Sequence, residues 1–251
     1  MLHQFSRNEL VIGTEGLEIL KSKRVGILGV GGVGSFAAES LARSGVGSLV
    51  LMDKDDIDIT NVNRQIHATT ETVGCSKVEE MKKRILAINP ECEVELVKKL
   101  IADDIEEVLG NFEKVENLEE SKDLDNSKKN CKYDFVVDAI DVIGSKVNLI
   151  EYCVKNKINI ISSMGFGNKM HPEMVEIAKI KNTSVCPMAR TIRSILKKKN
   201  ISIGRKHETP LDDLYDCEID GNPFTIVRTE EETFLYTECT DTIEKLLKIF
   251  E

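Results

Sequence analysis

The chain has 251 residues, 41% of them hydrophobic, enough to bury a real core in one large or two small domains. Its formal charge of -9 argues against a protein that coats nucleic acid, no apolar run approaches the roughly 20 residues of a membrane span, and the opening MLHQFSRNEL lacks the apolar stretch of a signal peptide. Seven cysteines without a CxxC pair signal neither a disulfide framework nor a zinc site, so the expectation is a cytoplasmic protein with no membrane partner and no zinc.

In chain order, the apolar run Val25, Ile27, Leu28 reads as a strand, GVGGVG as a tight turn and SFAAESLARSG as a helix. Gly29, Gly31 and Gly34 carry the GxGxxG spacing, with Gly32 between them. Strand, turn and helix N-terminus together form a phosphate cradle, because unpaired N–H groups point outward and the helix dipole favours an anion. SLVLMD is a second buried strand ending at Asp53. Val78, Met81, Ile85 and Ile88 fall at helical spacing from Lys77 to Asn89, and Pro90 closes that helix. CEVELV and YDFVVDAID read as strands, followed by a helix bearing Val147, Ile150 and Val154 and by the strand INIISS. Alternation of this kind predicts a Rossmann-like, doubly wound α/β sheet, parallel in the first half. Beyond residue 165 the pattern shifts to EMVEIAKI, a basic helix from Pro187 to Lys199 and short strand-like pieces. These predict mixed or antiparallel strands extending the fold within a single domain over residues 1–251.

Charge is distributed unevenly. Residues 101–127 hold ten acids and two bases, and the polar stretch at about 110–132 reads as a charged surface insertion. Residues 169–206 hold ten bases and two acids, so a basic surface can exist on an acidic protein. On the helix after Pro187, Arg190, Arg193 and Lys197 share one face while Met188, Ile192 and Ile195 lie opposite. Such a row suits a phosphate backbone, although most charged helix faces are simply solvated.

Asp53 stands where a Rossmann acid bonds a ribose hydroxyl, which does not separate NAD from ATP. The next segment, DKDDIDITNVNRQIHATTETVGCSK, does. It carries Asn61, Arg64 and Gln65 in a loop before Lys77 opens a helix, and two cations with two amides suit a triphosphate better than a dinucleotide. An NAD-dependent oxidoreductase therefore ranks below an ATP enzyme.

The glycine loop, MDKDDIDITNVNRQ, VGCSKVE, INPECEV and VVDAID resemble the ubiquitin-activating-like adenylating enzymes, which include the activators of molybdopterin and thiamine sulfur carriers. The resemblance implies that Asp53 holds the ribose, that Asn61, Arg64 and Gln65 surround the phosphates, that Lys77 contacts them, and that Asp141 binds Mg2+. It also implies an arginine near the N-terminus, Arg7 in FSRNELVIG, which reaches the ATP of a neighbouring subunit in a homodimer. Arg64, Lys77, Asp141 and Arg7 would then carry catalysis through positioning and charge compensation, since the attacking carboxylate is already ionised.

The sulfur-carrier activators usually hold zinc on two CxxC pairs, which this chain lacks. Its segment SMGFGNKMHPEMVEIAKIKNTSVCPMARTIRSILKKKNI, with the glycine loop and NRQIHATTETVGCSKVE, instead resembles the tRNA threonylcarbamoyladenosine dehydratases over roughly residues 5–205. For that family it implies ATP-dependent activation of a threonyl carboxylate beside the tRNA anticodon and ring closure by the carbamoyl group, with loss of AMP. The implied partner is tRNA carrying threonylcarbamoyladenosine, contacted by Lys169, Arg190, Arg193 and Lys197, and the resemblance leaves room for a sulfur-transfer protein partner. A sulfur-carrier activator that adenylates a protein ending in Gly-Gly is the alternative. Intramolecular closure needs no enzyme thioester, so Cys186 is read as structural or substrate-shaping. His67 is read as a hydrogen-bonded loop histidine, and Asp138 as a strand-end cap or an orienter of the loop that carries Asp141.

Overall fold

The computed structural model describes residues 2–99, 105, 109, 133–167 and 175–201, with strand segments at 218–219, 222–223 and 226–228. The acidic stretch at about 110–132 and Lys169 lie outside the described residues.

A helix that the sequence pattern did not reveal comes first: α1, Ser6–Lys21. It bends at Gly13, whose φ of 72° is open to glycine, and only its second half buries side chains, Leu17 and Leu20. Leu10 and Val11 in the first half are exposed, so no helical stripe marks that segment. Then follow β1 (Arg24–Leu28), α2 (Gly34–Ser44), β2 (Ser48–Met52), α3 (Lys77–Ile88), β3 (Glu93–Val97), β4 (Phe135–Asp138), α4 (Ile143–Lys155) and β5 (Ile160–Ser162). The strands form one parallel sheet in the order β3-β2-β1-β4-β5. After β1 the chain winds outward through β2 and β3, and β4 then starts beside β1 on the other side. The reversal between β1 and β4 is where a doubly wound sheet opens a crevice at its carboxyl edge.

Packing explains the strand sequences. β1 and β2 are buried along nearly their whole length, as parallel strands covered on both faces must be. One face packs Val25, Ile27, Leu49 and Leu51 against Leu20 of α1, Ala38 and Leu41 of α2, and Val78, Met81 and Ile85 of α3. The other packs Leu28, Val50, Met52 and Val136 against Val147, Leu149 and Ile150 of α4 and against α5 (Pro187–Lys198). The second half supplies antiparallel strands as separate pairs: β6 (Val175–Ile177) with β9 (Ile226–Arg228), and β7 (Glu218–Ile219) with β8 (Asn222–Pro223). They stand outside the hydrogen-bonded five-stranded sheet.

On α5 the buried seam is Ala189, Ile192 and Leu196, while Met188 and Ile195 are half-buried. The apolar stripe is thus rotated from the predicted one, because positions 189, 192 and 196 lie on one side of a helix. Arg190 and Lys197 are exposed, but Arg193 sits at the seam's border with its Nη1 enclosed and unpartnered among the described residues.

Beneath the carboxyl edge lies an ion pair with no solvent exposure. Lys146 Nζ of α4 stands 2.8 Å from Asp138 Oδ2 of β4, and it also donates to Ser162 Oγ at 3.2 Å and to the Ser163 carbonyl at 2.7 Å. Asp138 additionally accepts from the Ser162 hydroxyl at 2.5 Å and from the Ile140 N–H at 3.1 Å. All three ammonium protons have acceptors, which is the condition under which a buried pair is tolerated. Asp138 is therefore no simple strand-end cap: it ties β4, α4 and β5 together. Lys146→Ala, which strands the carboxylate, is expected to cost about 3–5 kcal/mol by urea unfolding, whereas Asp138→Val with Lys146→Met should recover most of that loss. A single-variant loss under about 1 kcal/mol would show that the pair is not what holds this edge.

Candidate functional site: a nucleotide cradle at the switch point

The glycine loop follows β1 directly. Gly29 has φ 88°, and a Cβ there would lie 2.6 Å from the Ala139 carbonyl oxygen. A Cβ on Gly34 would lie 1.8 Å from the Gly29 carbonyl oxygen, so the first turn of α2 can fold down onto the loop only without a side chain. This close approach aims the first amides of α2 at the crevice, and no acid stands in its first turn to compete for them.

The loop after β2 closes the cradle from the other side. Asp53 Oδ2 accepts from the Val30 N–H of the glycine loop at 2.8 Å, and Oδ1 accepts from the Asp55 N–H at 2.9 Å. Its carboxylate is therefore fixed beside the glycines, with lone pairs left for ribose hydroxyls. A Cβ on Gly32 would meet Arg64 Cγ at 3.4 Å, and one on Gly31 would meet Gln65 Nε2 at 3.9 Å, so both side chains lie against the loop. Gln65 is buried and its Oε1 has no hydrogen-bond partner among the described residues. Arg64 is exposed, with Nη1 on the Thr60 carbonyl and on Asn63 Oδ1, both at 2.9 Å. Asn61 caps the short turn Ile59–Asn61 by accepting from the Asp58 N–H at 3.1 Å, so its oxygen shapes the loop. Lys77, the first residue of α3, is buried, and its Nζ pairs with Asp55 Oδ2 at 3.0 Å.

Asp141 lies on the loop after β4, two residues past Ala139, and is exposed with no partner among the described residues. No group of three or more His, Cys, Asp or Glu able to hold a metal occurs among the described residues. One free carboxylate at a phosphate cradle does fit Mg2+, which keeps water and phosphate oxygens as its other ligands.

Two predicted features are not brought to this cradle. Phe5 and Asn8, which flank Arg7, meet Gly45 and the Arg43 carbonyl at the far end of α2. Arg7 itself is exposed, and the contacts of its two neighbours lie about 16 Å, the length of that 11-residue helix, from its glycine-loop end. The basic residues of α5 lie on the opposite face of the sheet. α5 nevertheless starts at the same carboxyl edge, because buried Cys186 has its Sγ 3.5 Å from the position a Gly165 Cβ would take. Burial suits the structural reading of Cys186.

His67 differs from its expected role. It is buried, and neither ring nitrogen has a partner among the described residues. Burial, reinforced by the nearby Lys77 ammonium, pushes its pKa down to about 4, so the ring is neutral at physiological pH. The residue that sequence reasoning overlooked is Asp55, whose only signal was its place in the acidic string DKDDID.

The sequence model of one family matches residues 5–209. The chain belongs to the ThiF family. Among ThiF-family relatives, the tRNA threonylcarbamoyladenosine dehydratase of Bacillus subtilis is 50% identical over 204 residues, covering 81% of this chain and 73% of the relative. The Haemophilus influenzae protein of the same name is 36% identical over 205 residues, covering 81% and 71%. The solved structure of the Escherichia coli tRNA N6-threonylcarbamoyladenosine dehydratase in complex with ATP superposes with a TM-score of 0.74 at 28% identity, covering 98% of this chain and 90% of that one. The same enzyme is also solved with AMP.

The depressed His67 pKa gives a signed expectation. Between about 6.5 and about 4 the unfolded chain takes up a proton that the folded chain refuses, so stability falls as pH drops through that window. One such group contributes at most about 1.4 kcal/mol per pH unit. Unfolding free energies measured across the window should show a steeper fall for the wild type than for His67→Phe, and equal slopes would contradict the assignment.

Proposed function

We propose that this chain is an ATP-dependent tRNA threonylcarbamoyladenosine dehydratase, and that its 251 residues form one ATP-binding domain. The observation that carries the ATP side is the lining of the glycine loop, where Gln65 Nε2 and the Arg64 side chain lie against Gly31 and Gly32 and the buried Lys77 opens the next helix. An amide N–H donor and two cations beside outward-pointing backbone amides suit phosphate oxygens, which only accept. The dehydratase relatives, at 50% and 36% identity over four-fifths of the chain, support the substrate.

In this reading Asp53 receives the ribose hydroxyls, while the first amides of α2, Asn61, Arg64, Gln65 and Lys77 surround the triphosphate. Arg64 and Lys77 compensate charge on the α-phosphate as the threonyl carboxylate attacks and as pyrophosphate leaves. Asp141 would hold Mg2+, which supplies further positive charge on the phosphate oxygens when bound. The carboxylate needs no general base for that first step. The mixed anhydride then places AMP as a leaving group on the carbonyl carbon, the carbamoyl group of the same nucleoside closes the ring, and AMP departs. The net result is loss of one water from the nucleoside and conversion of ATP to AMP and pyrophosphate. Arg7, remote from the cradle of its own chain, is assigned to the site of a second copy in a homodimer. Lys169 and the exposed charges of α5 are assigned to tRNA. No helix among the described residues is long and apolar enough to cross a membrane, and a cytoplasmic setting suits a tRNA substrate.

The test is direct. Protein, ATP, Mg2+ and tRNA carrying threonylcarbamoyladenosine are incubated, the tRNA is digested, and the nucleoside is weighed; the expected product is lighter by one water. An unchanged mass from folded, ATP-binding protein overturns the reading, and adenylation of a protein tail instead would favour the sulfur-carrier alternative. Arg64→Ala and Asp141→Ala should each reduce AMP formation by at least about a hundredfold, the scale of losing one charge stabiliser, without shifting the unfolding midpoint. Arg190→Gln with Lys197→Gln should weaken tRNA binding at low salt and flatten the dependence of log affinity on log salt by about 0.7–0.9 for each phosphate no longer neutralised. An unchanged slope would remove α5 from the interface.

A further inference from the structure

Lys77 is buried to 8% side-chain exposure, yet its partner Asp55 is 51% exposed. The arrangement is built into the backbone. Residues 55–57 run antiparallel to 74–77: Asp56 and Ser76 form a β-bridge, the Ile57 N–H donates to the Cys75 carbonyl at 2.8 Å, the Gly74 N–H to the Ile57 carbonyl at 2.8 Å, and the Lys77 N–H to the Asp55 carbonyl at 3.2 Å. Asp55 is thus joined to Lys77 twice, through main chain and side chain. It is also joined to the ribose acid, because its N–H donates to Asp53 Oδ1. Asp53 in turn accepts from Val30 of the glycine loop. One unbroken series of bonds runs from glycine loop to ribose carboxylate to Asp55 to phosphate lysine.

An ammonium carries three donors, and only one is spent on Asp55. Lys77, Glu80 and Arg84 of α3 all lie within electrostatic reach of neutral His67; Glu80 pairs with Lys83 and Arg84 with Glu39, so the carboxylate paired with Lys77 among the described residues is that of Asp55. A cation in that setting, left without a counter-charge, has little to fix where it points. We propose that Asp55 is a positioning residue for adenylation: it holds the Lys77 ammonium at the rim of the cradle, in register with the ribose site, so that the two N–H donors without a partner among the described residues meet the phosphates. This rests on the ATP-dependent reading of the site given above. Asp55 touches no reacting atom and acts through Lys77. Its half-exposed carboxylate lets phosphate oxygens share the ammonium without the lysine having to leave its place.

The test separates positioning from binding and from folding. In the full chain, Asp55→Ala should lower kcat for AMP formation at saturating ATP at least tenfold while changing the KM for ATP less than threefold. Asp55→Asn, which keeps a neutral acceptor, should fall between, and Asp55→Glu, which returns a carboxylate on a longer arm at a half-exposed position, should recover part of the loss. Urea midpoints read folding separately. The proposal is overturned if Asp55→Ala retains kcat within twofold of wild type, if the loss is confined to KM, if Asp55→Glu is no better than Asp55→Ala, or if the loss vanishes once the unfolded fraction is counted. AMP formed from ATP and water is measured in parallel without tRNA, and the same ratios are expected there. A wild type that hydrolyses ATP but leaves the tRNA mass unchanged would therefore remove the dehydratase reading while still deciding the role of Asp55.

Discussion

The carboxyl edge of the sheet is held together by backbone contact at a distance no side chain can enter. Gly29 stands against the Ala139 carbonyl and Gly34 against the Gly29 carbonyl, so the turn after β1, the start of α2 and the loop after β4 share one small volume. Because β1 and β4 are neighbours at the point where the winding reverses, their loops diverge and leave a crevice. The Asp53 carboxylate, the Arg64 and Gln65 side chains and the loop carrying Asp141 all take their places relative to that contact. A methyl group at either glycine would move the amides of α2 away from the phosphate position.

A second constraint holds the other side of the crevice. Asp138 and Lys146 are wholly buried, and their satisfied network binds the end of β4 to α4 and to the Ser162–Ser163 corner of β5. Buried ion pairs seldom add net stability, but one with every donor and acceptor satisfied fixes geometry. Here it fixes the strand end from which the Asp141 loop springs and the corner from which the chain runs on toward Gly165 and Cys186. On the near side the same logic recurs with less burial, as Asp55 and Lys77 pair across an antiparallel bridge. Polar groups that are satisfied locally thus frame the site, while the Arg64 and Gln65 side chains lie against its glycine loop.

The elements that the sequence showed plainly were those whose burial is regular. β1, β2, β3, β4 and β5 were legible as short apolar-rich runs and α3 and α4 by helical spacing, with β4 ending at Asp138, three residues before the end of the stretch read as a strand. α1 was not, because its first half leaves Leu10 and Val11 exposed and Gly13 interrupts the pattern. The seam of α5 was read one position off, since Ala189 is small enough to look neutral yet is fully buried. His67 was expected to be hydrogen-bonded, and nothing local could reveal that α3 would enclose it beside Lys77 without a partner among the described residues.

By itself the sequence determined the order of the sheet strands and of the helices between them, the parallel sheet and the glycine loop, because each follows from local pattern: short apolar runs for strands covered on both faces, a spacing near four for helices, and glycines where the backbone must approach closely. The tertiary structure alone decided which charges meet. That Asp138 finds Lys146, that Asp55 rather than its acidic neighbours takes Lys77, and that Arg7 lies at the opposite end of α2 from its own cradle depend on how helices settle on the sheet. Electrostatic partnerships of this kind join residues distant in the chain through a few ångströms of space, and no periodicity along the chain encodes that distance.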